Sequence, residues 1–244
     1  MPMSYIFREH IKQSLAVIAF LITLTACTSE SYDAGDGPNS YLTADLVLLH
    51  TSQDKSVRSA LLDDGTTLQF SNPFAQDWLT RPDSVYRALL YYDKTVAASD
   101  AAASNPTATS IVRARSVRPV SVLRPVEAED METLRTDPVG FESLWLSKNK
   151  SYINLSLLLK SGKTEADDAL HALGIVSHGT TTDADRRRML HLTLYHDQGG
   201  VPAYYTVQQY VSIPTQLLEE ADTVELTLNT YNGKKVVKVA VSNL

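Results

Sequence analysis

A histidine beside an aspartate, followed by two glycines, is the pattern in this chain that comes nearest to a catalytic arrangement. His196 and Asp197 end an alternating segment and precede the glycines at 199–200. In one interpretation Asp197 orients His196 as the general base of a hydrolase. In the other, the Asp197 carboxylate caps backbone amides in a turn, and His196 continues the apolar face of the preceding strand. We favour the second interpretation, so no catalytic residue is predicted.

The six histidines also raise the question of a metal site. His191 and His196 are five residues apart, so on one strand they face opposite sides of the sheet. His171 and His178 are seven apart, which is again an odd spacing, and we expect His178 to lie in a loop. No metal site and no cofactor are therefore predicted.

Basic and aromatic residues are better candidates for ligand binding. Arg113 and Arg115 lie in a stretch without acidic residues. On one strand face they would be solvated, would pair with the acids of 127–132, or would hold an anionic glycan or lipid headgroup. Tyr204 and Tyr205 supply contact area for a sugar or a protein at low entropic cost, although tyrosine is also an ordinary strand residue. With His196, these four residues are the predicted ligand-binding residues.

The only cysteine, Cys27, directly follows an apolar leader. Residues 15–24 are almost entirely apolar, which matches the core of a signal peptide and is too short to cross a bilayer. Leu24, Thr25 and Ala26 precede Cys27 as in the lipobox of bacterial lipoproteins. We therefore predict a signal peptide at 1–26 and acylation of Cys27. The alternative is an ordinary secretory signal or membrane anchor with a chance cysteine.

Acylation of Cys27 would hold the protein in the cell envelope, because two or more acyl chains give stable membrane binding. We favour the outer membrane, and the sequence leaves open whether the protein faces the periplasm or the cell surface. The partners predicted on this basis are the membrane, through the lipid, and another envelope protein or a glycan.

The composition is that of a folded acidic protein. Of the 244 residues, 43% are hydrophobic and 20% are charged, with a net charge of −6. These values exclude collagen, coiled coil and wholesale disorder. A protein with a net negative charge does not neutralise the phosphates of a nucleic acid, so no nucleic-acid partner is predicted. One cysteine also excludes a disulfide framework.

Behind the cysteine, residues 27–41 are polar and aperiodic and are predicted to be a flexible tether. Residues 42–126 are predicted to form the first domain, which has a loose surface loop at 94–110. Five strands suit a small Greek-key barrel of the OB type, which we favour over an open meander. The predicted strands are 42–51, 57–62, 66–70, 85–92 and 111–126.

Residues 127–137 are rich in acids and are predicted to be a connector with room for one helical turn. Residues 138–244 are predicted to form a second domain, an immunoglobulin-like β-sandwich of seven short strands. The chain as a whole is thus predicted to be all-β. The strands of the second domain are expected at 141–147, 151–160, 168–177, 187–196, 203–213, 222–230 and 234–242.

Short motifs spread over the chain in a fixed order resemble one family, the NigD-like lipoproteins of Bacteroides-type bacteria. The first is Asp33 to Asp45, behind the lipobox. The later motifs are Asp63-Asp64-Gly65, Tyr152-Ile153-Asn154-Leu155, Leu192 to Gln198, Ser212-Ile213-Pro214 and Asn229 to Gly233. The resemblance implies an OB-like N-terminal domain and a C-terminal β-sandwich. The family name comes from a bacteriocin gene cluster and implies a role in immunity, with no catalytic residues attached.

Together these observations predict a lipid-anchored envelope protein that acts as a non-catalytic binding or structural module. We expect the barrel loops or the 94–110 segment to meet the partner. Two alternatives stay open: a bacteriocin immunity protein, and an envelope hydrolase that uses His196 and Asp197.

Overall fold

The computed structural model describes residues 42–94, 110–163, 170–218 and 221–241. The predicted signal peptide, Cys27, the tether and almost all of the predicted loop at 94–110 lie outside these residues. Within them, the helical elements are two short 3-10 helices, Ala128–Asp130 and Thr215–Leu217, and every other regular element is a strand. The all-β prediction is confirmed. In the same ranges, no helix has the length and apolar character needed to cross a bilayer.

The first five strands close into a barrel in the order β1-β2-β3-β5-β4. β3 and β5 are parallel, whereas the other neighbouring strands are antiparallel. This is the five-stranded Greek-key arrangement, so the OB-like prediction is confirmed. The barrel strands are β1 (Leu42–Thr51), β2 (Val57–Leu62), β3 (Thr67–Phe74), β4 (Val85–Lys94) and β5 (Ser110–Pro119).

Alternate side chains of the barrel strands fill its interior, as the period of two requires. Leu49 on β1, and Leu90 and Tyr92 on β4, are among the largest fully buried side chains. The outward face of β4 carries Arg87 and Leu89, which are also buried. A strand that is buried on both faces must be covered on its outer side by another part of the protein.

Nine further strands form two sheets. One sheet has the order β14-β13-β11-β10-β7 and the other the order β6-β12-β9-β8. The first seven of these strands are β6 (Ser121–Val122), β7 (Pro125–Glu127), β8 (Gly140–Leu146), β9 (Tyr152–Ser161), β10 (Ala172–Thr182), β11 (Arg188–Asp197) and β12 (Tyr205–Pro214). The last two are β13 (Thr223–Thr230) and β14 (Gly233–Ala240).

Apolar side chains from both sheets pack into one core, which confirms the predicted two-sheet sandwich. Ile153, Leu155 and Leu157 of β9 contact the cluster that also holds Leu192 of β11 and Leu226 of β13. The pairs β6–β12, β7–β10 and β11–β13 are parallel. The sandwich therefore shares its two stacked sheets with the immunoglobulin fold, but it differs from that fold in strand pairing.

The predicted single strand from 111 to 126 is wrong. β5 ends at Pro119, because proline cannot donate to a ladder. The next residues leave the barrel and supply β6, which pairs with β12, and β7, which pairs with β10. His178 was expected in a loop, but it lies inside β10 at an irregularity of the ladder between Ser177 and Thr180.

Candidate functional site

A buried arginine joins the barrel to the sandwich. Arg87 projects from the outer face of β4, and its side chain is only 1% exposed. Its Nη1 and Nη2 donate to the two carboxylate oxygens of Asp63 at 2.6 and 2.7 Å. The same guanidinium donates to Asn154 Oδ1 at 3.0 Å and to Ser212 Oγ at 3.2 Å. One side chain thus binds the β2–β3 turn, β9 and β12 at once.

The partners of Arg87 also bond to one another. Asn154 Nδ2 donates to Asp63 Oδ2 at 3.0 Å, and Ser212 Oγ donates to Asn154 Oδ1 at 2.7 Å. Asn154 and Ser212 are completely buried. The guanidinium carbon of Arg87 also lies 4.4 Å from the ring centroid of Tyr152. Because all these polar groups have partners, the network offsets the cost of burying a charge and fixes the geometry of the junction.

Three of the sequence motifs behind the family resemblance meet in this network. Asp63 belongs to the motif at 63–65, Tyr152 and Asn154 belong to the motif at 152–155, and Ser212 belongs to the motif at 212–214. Nothing local in those motifs indicates a shared role, since they are far apart in the chain. We refer to Asp63, Arg87, Asn154 and Ser212 as the junction network.

Beside this network lies a cleft of about 350 Å³, which is lined by both domains and which we call the junction cleft. The barrel contributes Asp45, Asp64 and Tyr91 to its wall, and the sandwich contributes Trp145, Lys148 and Tyr210. The three aromatic side chains are half-buried and pack on the buried side chains of Leu46, Leu89 and Val120. The Trp145 and Tyr210 rings meet edge to face with 6.4 Å between their centroids.

The carboxylates of the junction cleft are held by hydrogen bonds. Tyr92 Oη donates to Asp45 Oδ2 at 2.8 Å. Burial, and then the bond to Asp45, raise the pKa of Tyr92 well above its usual range, so Tyr92 stays a neutral donor. Partial burial raises the pKa of Asp64, but the hydrogen bonds from Thr66 and the charge of Lys148 outweigh it and lower the pKa overall. Asp64 is therefore ionised at neutral pH.

Sequence reasoning missed the residues of the junction cleft. A signal was available on β4, where Arg87, Leu89 and Tyr91 share the face opposite the barrel core. Large side chains on both faces indicate a strand that another layer covers. Which layer covers it depends on the docking of the two domains, and no local pattern encodes that docking.

His196 lies where the alternation places it, at the rim of the sandwich core, and is only 1% exposed. Asp197 faces the other side of β11, where Oδ1 accepts a hydrogen bond from the Gly199 amide at 2.9 Å. Asp197 Oδ2 also pairs with Arg135 Nε at 3.3 Å. The two neighbours therefore do not form a catalytic pair, and Asp197 caps the turn.

The true partner of His196 is a second histidine. His196 Nδ1 lies 3.0 Å from the Asp137 carbonyl and donates to it. His171 Nδ1 lies 2.9 Å from His196 Nε2, so one of these two ring nitrogens donates to the other. His171 Nε2 is buried and has no hydrogen-bond partner among the described residues.

Stability should depend on pH through His171. Burial, and then the nearby His196, lower the pKa of His171, and the Lys160 backbone has a smaller opposing effect. The unfolded chain therefore takes up a proton on His171 at a higher pH than the folded chain does. The contribution of neutral His171 to the free energy of unfolding is complete above about pH 6.5 and is lost as the pH falls.

We expect His171→Gln to lose less stability than wild type between about pH 7.5 and 5.5 in urea unfolding. The exposed His50, changed to Gln, should behave like wild type. An equal loss in His171→Gln and wild type would show that burial of His171 does not cause the pH dependence.

The other predicted ligand residues lie on separate elements. Arg113 and Arg115 are exposed on β5, and Arg115 pairs with Asp93 of β4 rather than with the acids of 127–132. Tyr204 directly precedes β12 and Tyr205 is its first residue, and they are 78% and 50% exposed. Among the described residues, no hydrogen bond, ion pair or ring contact joins these arginines, these tyrosines and His196. A shared ligand for them stays a prediction.

His191 and His196 face different surroundings, as their spacing predicts. His191 Nε2 lies 2.8 Å from Thr181 Oγ1, and His191 Nδ1 lies 3.0 Å from Glu225 Oε1. Within the described part of the chain, no group of three or more His, Cys, Asp or Glu side chains is placed to hold a metal ion.

Residues 122–241 match the family model described as the NigD-like C-terminal beta sandwich domain. The match begins at β6, the point where the chain leaves the barrel. It confirms the resemblance stated on the motifs. No curated protein sequence matches the chain.

Solved structures share the fold across both domains. A NigD-like immunity protein from Bacteroides caccae is 22% identical, with a TM-score of 0.58 over 81% of this chain and 91% of that chain. A protein of unknown function from Bacteroides vulgatus is 16% identical, with a TM-score of 0.57 over 82% and 92% of the two chains. A Bacteroides fragilis protein, provisionally named as a lipoprotein, is 12% identical, with a TM-score of 0.57 over 83% and 99%. At these identities the likeness shows the fold alone.

Proposed function

Residues 122–241 carry the NigD-like C-terminal β-sandwich domain, and from that premise we propose that the protein is a lipid-anchored, non-catalytic binding module of the bacterial cell envelope. Its partner-binding face is the junction cleft. The barrel and the sandwich supply the two walls, and the acylated Cys27 supplies the attachment to the membrane.

One observation carries this proposal: the cleft is walled by two domains that a buried, fully bonded network holds together. A site of this kind is preformed, so little free energy is spent on ordering it when a partner binds. Binding sites commonly occur at domain interfaces and combine aromatic surface with a few fixed polar groups. The junction cleft has all three properties.

The hydrolase alternative has less support. A general base needs a free nitrogen within reach of substrate. His196 uses Nδ1 and Nε2 on Asp137 and His171, and it is buried. Asp197 is engaged with Gly199 and Arg135.

Attachment to the envelope is supported by the lipobox at 24–27 and by the leader in front of it. The provisional lipoprotein name of the Bacteroides fragilis protein agrees with it, although that name belongs to the other protein.

The proposal is tested by incubating the full chain, kept in detergent, with envelope fragments of the bacterium that makes it after lipid has been extracted from them. Without membrane in the fragments, the acyl chains on Cys27 cannot account for sedimentation. We expect the protein to co-sediment with the fragments and to release no soluble product. Trp145→Ala should reduce the bound fraction, whereas Tyr231→Ala, which changes an exposed tyrosine outside the cleft, should not. Equal binding of wild type and Trp145→Ala would overturn the proposal. So would soluble sugars or peptides that increase with protein concentration and vanish in His196→Gln.

Bacteriocin immunity is a second candidate, because one structural neighbour is named an immunity protein. Immunity would be a specialised form of binding, with a toxin as the partner. Deleting the gene should then raise the sensitivity of the cell to toxins of neighbouring strains, and restoring it should reverse the change. Unchanged sensitivity across such strains would remove this candidate.

A further inference from the structure

We infer that the junction cleft binds an uncharged saccharide. This inference rests on the proposed function, in which the cleft is the binding face, and adds the chemical class of the ligand. It follows from three features of the cleft: its size, its aromatic surface, and the balance of its charges. At about 350 Å³ the cleft lies within the range of small-molecule sites.

The aromatic surface suits a ligand that is apolar on its faces and polar at its edges. Tyr91, Trp145 and Tyr210 are half-buried, so each keeps part of its ring available in the cleft. The indole N–H of Trp145 and the hydroxyls of Tyr91 and Tyr210 have no hydrogen-bond partner among the described residues. Tyr and Trp supply large, rigid contact area together with a polar group. A pyranose ring has C–H faces that pack on such rings and hydroxyls that reach their polar ends.

The charges of the junction cleft nearly cancel. Asp63 is neutralised by the bidentate bond to Arg87. Asp64 lies near enough to Lys148 for the lysine charge to lower its pKa. Asp45 is the remaining carboxylate, and it accepts the bond from Tyr92. The cleft therefore has no excess positive charge to hold a phosphate or another strong anion.

A basic peptide side chain is the competing ligand, because aromatic rings and carboxylates can hold a cation. The exposed Lys148 in the wall opposes it, since like charges repel. A sugar hydroxyl both donates and accepts, so it can use Asp45 and Asp64 as acceptors and Lys148 and the phenols as donors. This mixture of donors and acceptors therefore favours the saccharide.

The two tryptophans of the chain provide a direct measurement. Trp145 lies in the cleft, whereas Trp78 packs on Tyr86 in the barrel. In a full-length Trp78→Phe chain, emission therefore reports on Trp145 alone. The protein is purified in a detergent without a sugar headgroup. The probes are neutral oligosaccharides released from envelope polysaccharide by partial acid hydrolysis and freed of charged species by ion exchange, with spermine and inorganic phosphate as the charged comparisons.

We expect the neutral oligosaccharides to change Trp145 emission saturably and both charged probes to leave it unchanged. Measured by calorimetry, Trp145→Ala should weaken binding about tenfold or more. Tyr210→Phe, which keeps the ring and removes one hydroxyl, should weaken it several-fold, so the test does not depend on the folding of Trp145→Ala. Tyr231→Ala, which changes an exposed tyrosine outside the cleft, should bind as wild type does.

The inference is overturned if the neutral fraction gives no saturable change, or if spermine or phosphate gives it instead. If envelope fragments bind in a way that depends on Trp145 but the neutral sugars do not bind, the saccharide ligand is contradicted and the proposed function is not. Sugar binding followed by cleavage would support the saccharide and overturn the non-catalytic function.

Discussion

Replacing Arg87 by methionine should lower the free energy of unfolding by about 3–5 kcal/mol, because it leaves the partly buried Asp63 carboxylate and two buried polar side chains without their partner. Asp63 would lose both bonds of its bidentate pair. Asn154 and Ser212, both completely buried, would each lose a donor. Urea unfolding followed by circular dichroism measures the change.

Arg115→Met is the matched control for Arg87→Met. Arg115 also lies on a barrel strand and also pairs with an aspartate, Asp93, but its side chain is 45% exposed. An exposed pair of this kind contributes about 0–1 kcal/mol. If Arg87→Met costs no more than Arg115→Met, the junction network does not stabilise the protein as described. The double change Arg87→Met with Asp63→Leu should recover part of the loss, since it leaves no unpaired charge.

Loss of the Cys27 thiol should move the protein from the membrane to the soluble fraction. Each buried methylene of an acyl chain contributes about 0.8 kcal/mol to membrane binding, so a protein with two or more chains stays bound and one without them does not. The variant is Cys27→Ser, expressed with a leader that ends in an ordinary secretory cleavage site in place of residues 1–26. This replacement is needed because an uncleaved apolar leader would itself hold the chain.

Membrane and soluble fractions, separated by ultracentrifugation after cell lysis, are compared by immunoblot. Thr28→Ala behind the native leader is the control and should stay with the membrane and take up labelled palmitate. If Cys27→Ser stays with the membrane as the control does, acylation of Cys27 is not what anchors the protein.

Alternation along the chain predicted much of this fold. In β11 the buried positions are Leu190, Leu192, Leu194 and His196, in a strict period of two. Such a pattern is local, because one face of the strand packs on the core and the other does not. The same alternation placed His196 at the rim of the core. It could not show that His171, 25 residues earlier in the chain, supplies the facing ring.

The error at 111–126 has a different cause. β6 and β7 are only two and three residues long, and both pair in parallel with strands far along the chain. Parallel pairs need long connections, so no turn signal marks them in the sequence. Pro119 and Pro125 are the available signs, since proline within a predicted strand indicates an edge or a bend.

The junction network was hidden for a physical reason as well. On β9 the polar Asn154 alternates with Ile153 and Leu155, which is the pattern of a strand with one side in water. The structure instead buries that side against Arg87 of the barrel. The partner of Arg115 could not be predicted from the sequence either, because an irregular register between β4 and β5 brings Arg115 to Asp93. For Asn154 the docking of the two domains decides which side chain it contacts, and for Arg115 the strand register decides it.

The central claim is that the junction network makes one body of the barrel and the sandwich and so keeps the junction cleft formed. Urea unfolding of two single-tryptophan chains tests it most directly. Trp145→Phe leaves Trp78 to report on the barrel, and Trp78→Phe leaves Trp145 to report on the sandwich. We predict that both reporters show a single transition at the same urea concentration. Two separate midpoints, with one domain unfolding while the other stays intact, would contradict the claim.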